Sequence, residues 1–128
     1  MTQGKLIPFE VALKREDRRL SERKAREENV RRKLLPLMVT VCETYKVTAD
    51  DILDAQNKHP TVVMARNIVR WLGWSRFHVG TTYLAVALNQ SRVSTGQMMP
   101  RLKKRYAESP EFRRQVECVE KLLDAVVK

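Results

Sequence analysis

Apolar residues recur at helical spacing in several segments of this 128-residue chain, and no segment shows the sustained alternation of a half-buried strand. The clearest case follows Ser109, a good capping residue, after which Pro110 suits a first helical position. The pattern predicts an all-α protein that ends in an amphipathic helix over residues 110–127. The apolar face of that helix consists of Phe112, Val116, Val119, Leu122, Leu123 and Val126.

A highly charged segment precedes the apolar part of the chain. Fifteen of the twenty residues in Lys14–Lys33 are charged. Three of its glutamates lie four positions before an arginine, a spacing that stabilises exposed helices. We predict a helix over residues 10–35 that is solvated for most of its length, preceded by an irregular arm over residues 1–9.

Pro36 starts a second predicted helix, since proline is tolerated in a first turn. This position divides the expected domains, which are a charged N-terminal arm and helix over residues 1–35 and a second helical domain over residues 36–128. In the second domain, Thr48 and Thr61 are the predicted N-caps of two further helices, because a threonine oxygen accepts hydrogen bonds from the free amides of a first turn.

The middle of the chain carries charge of only one sign. Between Asp54 and Glu108 there is no acidic side chain. One-signed charge destabilises a compact domain by self-repulsion, and a polyanionic partner would relieve it. Nucleic acid is the most common such partner, and we expect double-stranded DNA. The nine basic residues of this span are Lys58, Arg66, Arg70, Arg76, Arg92, Arg101, Lys103, Lys104 and Arg105.

The same span has the form of a helix-turn-helix, over about residues 81–107. A short apolar helix, about residues 83–88, is followed by a polar turn and by a helix that begins with small polar side chains and ends in basic ones. The first residues of a recognition helix contact base edges, whereas basic side chains and free amides hold phosphates. The predicted base-contacting residues of this motif are Arg92, Ser94, Thr95 and Gln97. The predicted phosphate-binding residues are Thr81, Thr82, Ser91, Arg101, Lys103, Lys104 and Arg105.

Pro100 lies inside the predicted recognition helix. Proline removes one backbone hydrogen bond, and its ring crowds the carbonyl of residue 96, which here belongs to the flexible Gly96. The helix must therefore bend or end early, and we predict a kink near Met98–Pro100.

Three short motifs carry a resemblance to a known family. Residues 41–53 read VCETYKVTADDIL and are similar to a first helix followed by the turn V-T-x-D-D-L-L. Residues 65–72 read ARNIVRWL and are similar to R-Q-I-A-x-x-L, and Ser94 and Thr95 fall on a T-T pair that opens a recognition helix. Residues 37–105 thus resemble the C-terminal DNA-binding domain of the bacterial replication initiator DnaA, a relative of the Trp-repressor helix-turn-helix proteins.

The resemblance implies a helix-turn-helix fold, binding of duplex DNA, and regulation of transcription or replication. It also implies that Arg66 reaches the minor groove and contacts bases. The family pattern G-G-R-D-H-T-T-V is replaced here by NQSRVSTG, so Ser91, Arg92 and Val93 stand where the family has arginine, aspartate and histidine. We therefore expect DNA binding, but not recognition of the family's own DNA sequence. No glycine-rich nucleotide loop occurs in this sequence, so we do not expect an ATP-driven initiator.

Two other functions are compatible with the sequence. A protein–protein adaptor of the replication or transcription machinery would keep the fold without reading bases, and would bind its partner through the charged N-terminal helix or through Trp74 and Phe77. An RNA-binding protein is disfavoured because only 6% of the residues are aromatic. A homodimer would suit a palindromic DNA site, although the sequence shows no clear dimerisation seam.

The remaining sites are disfavoured by residue type and spacing. His59 and His78 are the only histidines, and neither has a cysteine nearby in sequence. Asp50 and Asp51 point in different directions on a helix and make a poor acid–base pair. We expect no enzymatic activity, metal or cofactor. No signal peptide and no apolar run of about 20 residues is present, so we expect no membrane association and a cytoplasmic, nucleoid-associated protein of bacterial or phage origin.

Overall fold

The computed structural model describes residues 8–127, which form six helices and no strand. The predicted all-α class is therefore confirmed for this part of the chain. Residues 1–7 of the predicted irregular arm lie outside the described residues, and residues 8 and 9 already belong to a helix. The helices are α1 (Pro8–Tyr45), α2 (Ala49–Leu53), α3 (Pro60–Ser75), α4 (Thr81–Ala87), α5 (Arg92–Glu108) and α6 (Pro110–Val127).

The charged segment and the apolar segment that follows it form one helix. α1 passes through Pro36 without a break, so the prediction of separate helices on either side of this proline is wrong. An interior proline costs about 3 kcal/mol through a lost hydrogen bond and a steric clash. Packing offsets this cost, because Leu34, Leu37 and Val41 are buried on both sides of the proline. The predicted domain boundary thus falls inside a helix.

The first half of α1 is solvated, as its charge pattern predicts. Between Phe9 and Asn29 every side chain is exposed except Val11 and Glu27, which are half-buried. At a rise of about 1.5 Å per residue, these 21 residues extend about 30 Å. The core contacts of α1 begin only near Val30.

One core holds the other elements together. The second half of α1 packs on α3, α4 and α6, and α5 packs on the same three helices. The apolar face predicted for α6 is buried at four of its positions, Phe112, Val116, Val119 and Leu123, whereas Leu122 is exposed. The largest other fully buried side chains come from all the remaining helices or from the residues next to them: Leu34, Leu37, Ile52, Ile68, Leu72, Leu84, Leu88 and Leu102.

Helix starts follow local capping rules, with one correction. Ser109 caps α6, since its Oγ accepts from the amide of Phe112 at 3.2 Å. Thr61 is not the cap of α3. That role belongs to His59, whose Nδ1 accepts from the Thr61 amide at 3.3 Å, and Pro60 is the first helical residue. Proline has no amide to satisfy and suits that position, which shifts the start of α3 toward the N-terminus.

Thr48 caps α2 as predicted, and its replacement by alanine is expected to lower the free energy of unfolding by about 1 kcal/mol. The Thr48 hydroxyl accepts from the Asp51 amide at 3.1 Å, and the Asp51 carboxylate accepts from the Thr48 amide at 3.0 Å. This reciprocal pair is a capping box. Urea unfolding measures the effect, with Thr48→Ser as the control that keeps the hydroxyl. Equal stability of Thr48→Ala and the unchanged protein would contradict the capping role.

Candidate nucleic-acid interface

α5 presents one continuous exposed face. Its inner side is anchored by Thr95, Met99 and Leu102, which are buried. On the opposite side, exposed residues recur at helical spacing, and they change from apolar and small near the start of the helix to basic further along it. The exposed residues of this side, called the α5 face below, are Val93, Gly96, Gln97, Pro100, Arg101 and Lys104.

In the span between Asp54 and Glu108, which contains no acidic residue, the exposed basic residues are concentrated on α5. Arg66 and Arg70 are buried. Arg76 forms ion pairs with Glu120, at 3.5 Å, and with Asp124. The six basic residues of the span that remain exposed are Lys58, Arg92, Arg101, Lys103, Lys104 and Arg105. Five of these six lie on α5, and none of the five forms an ion pair with another described residue.

The turn before α5 is held by a residue that sequence reasoning missed. The Arg70 guanidinium donates to the side-chain oxygen of Gln90 at 3.1 Å and to that of Asn67 at 3.0 Å. Burial, together with the nearby charge of Arg66, lowers the pKa of Arg70 to about 10. Arg70 therefore stays charged at neutral pH, and it connects α3 to the turn. The only available sequence signal was an arginine within an apolar helix.

Asn89 gives the same turn its sharp direction. Its φ of 55° lies in the left-handed region, which asparagine tolerates better than most residues. Its side-chain amide donates to the Leu53 carbonyl at 3.4 Å. The predicted turn over residues 89–91 is therefore present, between α4 and α5, and α5 begins where the sequence places it.

Three of the four residues predicted to contact bases from this motif are accessible. Arg92, Ser94 and Gln97 are exposed. Thr95 is fully buried, and its hydroxyl donates to the Ser91 carbonyl at 2.9 Å. The prediction that Thr95 contacts a base is therefore wrong for this structure. Its side chain faces the core because it lies one turn before Met99 on the inner side of α5.

Arg66 was predicted to reach the minor groove, and the structure instead places its side chain inside the protein. It is only 3% exposed. Its Nε donates to the Ile52 carbonyl at 2.8 Å, and one terminal nitrogen donates to the Asp54 carbonyl at 2.8 Å. That nitrogen also lies 3.2 Å from the Asp51 carbonyl and 3.3 Å from the Asn57 carbonyl. The assignment of Arg66 as a base-contacting residue is corrected to a structural one, since its donors already bind the end of α2 and the loop after it.

The predicted phosphate-binding residues fall into two groups. Arg101, Lys103, Lys104 and Arg105 are exposed on α5, where Arg105 also stacks over the Phe112 ring at 4.8 Å. Thr81, Thr82 and Ser91 lie at helix starts. Ser91 caps α5 by accepting from the Ser94 amide at 3.3 Å. Thr81 and Thr82 open α4, whose N-cap is Gly80, a residue without a side chain that could accept from the first-turn amides.

α5 continues through Pro100 to Glu108, so the helix does not end early. Residue 96, whose carbonyl loses its usual donor, belongs to a glycine with an exposed position. Met99, next to the proline, is buried, and Leu102 follows in the core. These contacts carry the helix past the proline, and the predicted kink stays a prediction.

The predicted partner surface is present only in part. Trp74 is 39% exposed. Phe77 is half-buried and packs against the core, so Trp74 is the accessible member of the pair. Trp74 contacts Trp71, with ring centroids 5.5 Å apart.

Within residues 8–127 no three His, Cys, Asp or Glu side chains lie close enough together to hold a metal ion. None of the described helices is long and apolar enough to cross a membrane. Comparison with protein-family models, with curated proteins and with solved structures gives no match.

Proposed function

We propose that this chain is a small, non-enzymatic DNA-binding protein that regulates transcription or replication in a sequence-specific way. In this proposal the α5 face enters the major groove of double-stranded DNA, in the manner of a helix-turn-helix of the DnaA C-terminal type. The observation that carries the proposal is the concentration on α5 of five exposed basic residues, none of which forms an ion pair with another described residue. A nucleoid-associated location would follow.

The proposed contacts divide between bases and phosphates. Arg92 is suited to the O6 and N7 atoms of guanine, and Gln97 to the N6 and N7 atoms of adenine. Ser94 is exposed and could form a hydrogen bond with either base. Val93, which is 69% exposed, is suited to the methyl group of thymine. The phosphate contacts would come from Arg101, Lys103, Lys104 and Arg105, with Thr81, Thr82 and Ser91 at helix starts, and these position the protein without reading sequence.

Selection of sites from a random duplex library tests the proposal. The selected duplex and a scrambled control are then titrated at two salt concentrations. We expect a recovered motif that is bound about 1,000-fold or more tightly than the scramble. Salt-sensitive binding without any motif would contradict sequence reading and reduce α5 to a phosphate clamp. A competing duplex RNA should displace little protein.

Two alanine variants separate the two kinds of contact. Arg92→Ala is expected to cost about 1–3 kcal/mol on the selected site and little on random DNA, because it removes a base contact. Lys104→Ala is expected to weaken binding to all duplexes alike and to lower the slope of log K against log salt by about 1. Equal losses on selected and random DNA for both variants would overturn this assignment of roles.

One observation favours the adaptor function as a second candidate. The solvated half of α1 exposes three large apolar side chains, Phe9, Leu13 and Leu20, among its charges. A helix that binds a protein partner through such side chains should lose that partner when Leu13 and Leu20 are both changed to serine. DNA binding through α5 should survive the same change, so protein binding and DNA binding can be measured independently. The same test applies if the protein partner is a second copy of this chain.

A further inference from the structure

A groove of about 420 Å³ lies at one edge of the α5 face, with which it shares Gly96 and Pro100, between the end of α3, the start of α4 and the middle of α5. Two residues that the sequence predicts to bind phosphate lie in this groove, Thr81 of α4 and Lys103 of α5. The complete lining is Trp74, Thr81, Gly96, Met99, Pro100 and Lys103.

Trp74 forms the apolar wall of this groove. Residues 65–73, which precede it in α3, are all buried, whereas Trp74 is 39% exposed. Its indole is held from behind by Trp71, which in turn stacks on Tyr106 with ring centroids 4.9 Å apart. A large aromatic surface is therefore presented to the groove, with Trp71 supporting the indole on its other side.

The side of the groove that α5 forms carries little side-chain bulk at two of its positions. Gly96 and Pro100 lie four residues apart on one side of the helix, and both line the groove. Glycine costs a helix interior about 1 kcal/mol and proline about 3 kcal/mol relative to alanine. A Cβ at Gly96 would meet no atom within 4 Å, so packing within the chain does not require glycine there. A glycine at such an open position leaves room for another molecule to approach the helix backbone closely.

The charge of the groove selects its occupant. Lys103 is exposed and unpaired among the described residues, and no acidic residue occurs between Asp54 and Glu108. The Thr81 hydroxyl adds a neutral donor. An apolar wall beside a cation matches the sugar–phosphate backbone, in which the deoxyribose has an apolar face and the adjoining phosphate is anionic.

We propose that Trp74 is a DNA-binding residue, which packs against a deoxyribose of the duplex while Lys103 and Thr81 hold the adjoining phosphate. The inference rests on the proposed function, because the same duplex would hold the α5 face in its major groove. Gly96 and Pro100 then allow the strand to pass close to α5.

The full chain labelled with 5-fluorotryptophan gives two ¹⁹F resonances, one for each tryptophan, and Trp74→Phe assigns them. On titration with the selected duplex, or with a 20-base-pair duplex at low salt, we expect the Trp74 resonance to shift much more than that of buried Trp71. Trp74→Ala should weaken duplex binding about tenfold, because an exposed indole surface of this size loses its contact. Leu122→Ala, which alters a similarly exposed side chain on α6, should bind normally.

A pair of substitutions at Gly96 tests the groove itself. Gly96→Leu is expected to fill it, suppress the Trp74 shift and weaken binding about tenfold or more. Gly96→Ala adds one methyl group in open space and should preserve most of the affinity while raising the thermal stability. An unshifted Trp74 resonance, with normal affinity for Gly96→Leu, would overturn the inference while leaving duplex binding by α5 intact. Absence of any duplex binding by the unchanged protein would overturn both.

Discussion

Replacing Arg66 with methionine is expected to lower the free energy of unfolding by about 3 kcal/mol or more, which is a large fraction of the stability of a typical domain. The guanidinium is buried and donates to backbone carbonyls at the end of α2 and in the loop after it. Methionine fills similar volume but leaves the Ile52 carbonyl without a donor in the interior, where an unsatisfied polar group is costly, and the Asp54 carbonyl keeps only the Asn57 amide. Urea unfolding followed by circular dichroism measures the change.

Arg66→Lys is the informative companion. It keeps the positive charge, but one ammonium group cannot reproduce the planar fork that spans the Ile52 and Asp54 carbonyls. We expect it to be destabilised as well. Arg101→Met, an exposed control with the same change of side chain, should alter stability by no more than about 0.5 kcal/mol. A fully stable Arg66→Met protein that has lost affinity for DNA would contradict the structural role and favour a direct contact of Arg66 with bases.

Reversing the charge of both Arg101 and Lys104 to glutamate is expected to weaken duplex binding by about a hundredfold or more at 0.1 M salt. Both side chains belong to the α5 face, and the double change turns two attractions to phosphate into two repulsions. The slope of log K against log salt should also fall by about 2. Fluorescence anisotropy at several salt concentrations measures both quantities.

The control carries the same change of net charge elsewhere. Arg18→Glu with Arg19→Glu reverses two exposed charges on the solvated half of α1. If α5 is the interface, this variant should lose only a small part of the affinity, through the long-range field of the protein. Equal losses for the two double variants would mean that net charge alone attracts DNA, and the proposed docking of α5 would then be wrong.

Local signals were sufficient to predict most of the helices. The turn over residues 89–91 and the starts of α5 and α6 depend on a few neighbouring residues, and the structure has them close to the predicted positions. The start of α3 was missed by two residues because His59 and Thr61 are both capable caps. Pro60 decides between the two caps, because proline suits the first helical position and that position directly follows His59.

Pro36 shows where local signals fail. Proline at the start of a helix and proline inside one look alike in sequence, and the first is the more common. Whether a helix continues through the proline depends on whether residues on both sides of it can share one buried face. Leu34 and Leu37 are both buried, and α1 packs on α3, α4 and α6, which follow later in the chain.

The composition and periodicity of the chain thus determined its all-α class, its solvated N-terminal segment and the outward position of the basic residues on α5, because these depend on residues within one or two helical turns. Only the tertiary structure decided which arginines are available to a ligand. Arg66 and Arg70 belong to the same basic span as Arg92 and Arg101, but they are buried against oxygens of residues that lie as far as 15 and 20 positions away in sequence. Burial of a long polar side chain is decided by such distant partners, and so the span's nine basic residues divide into structural and accessible groups only once the chain has folded.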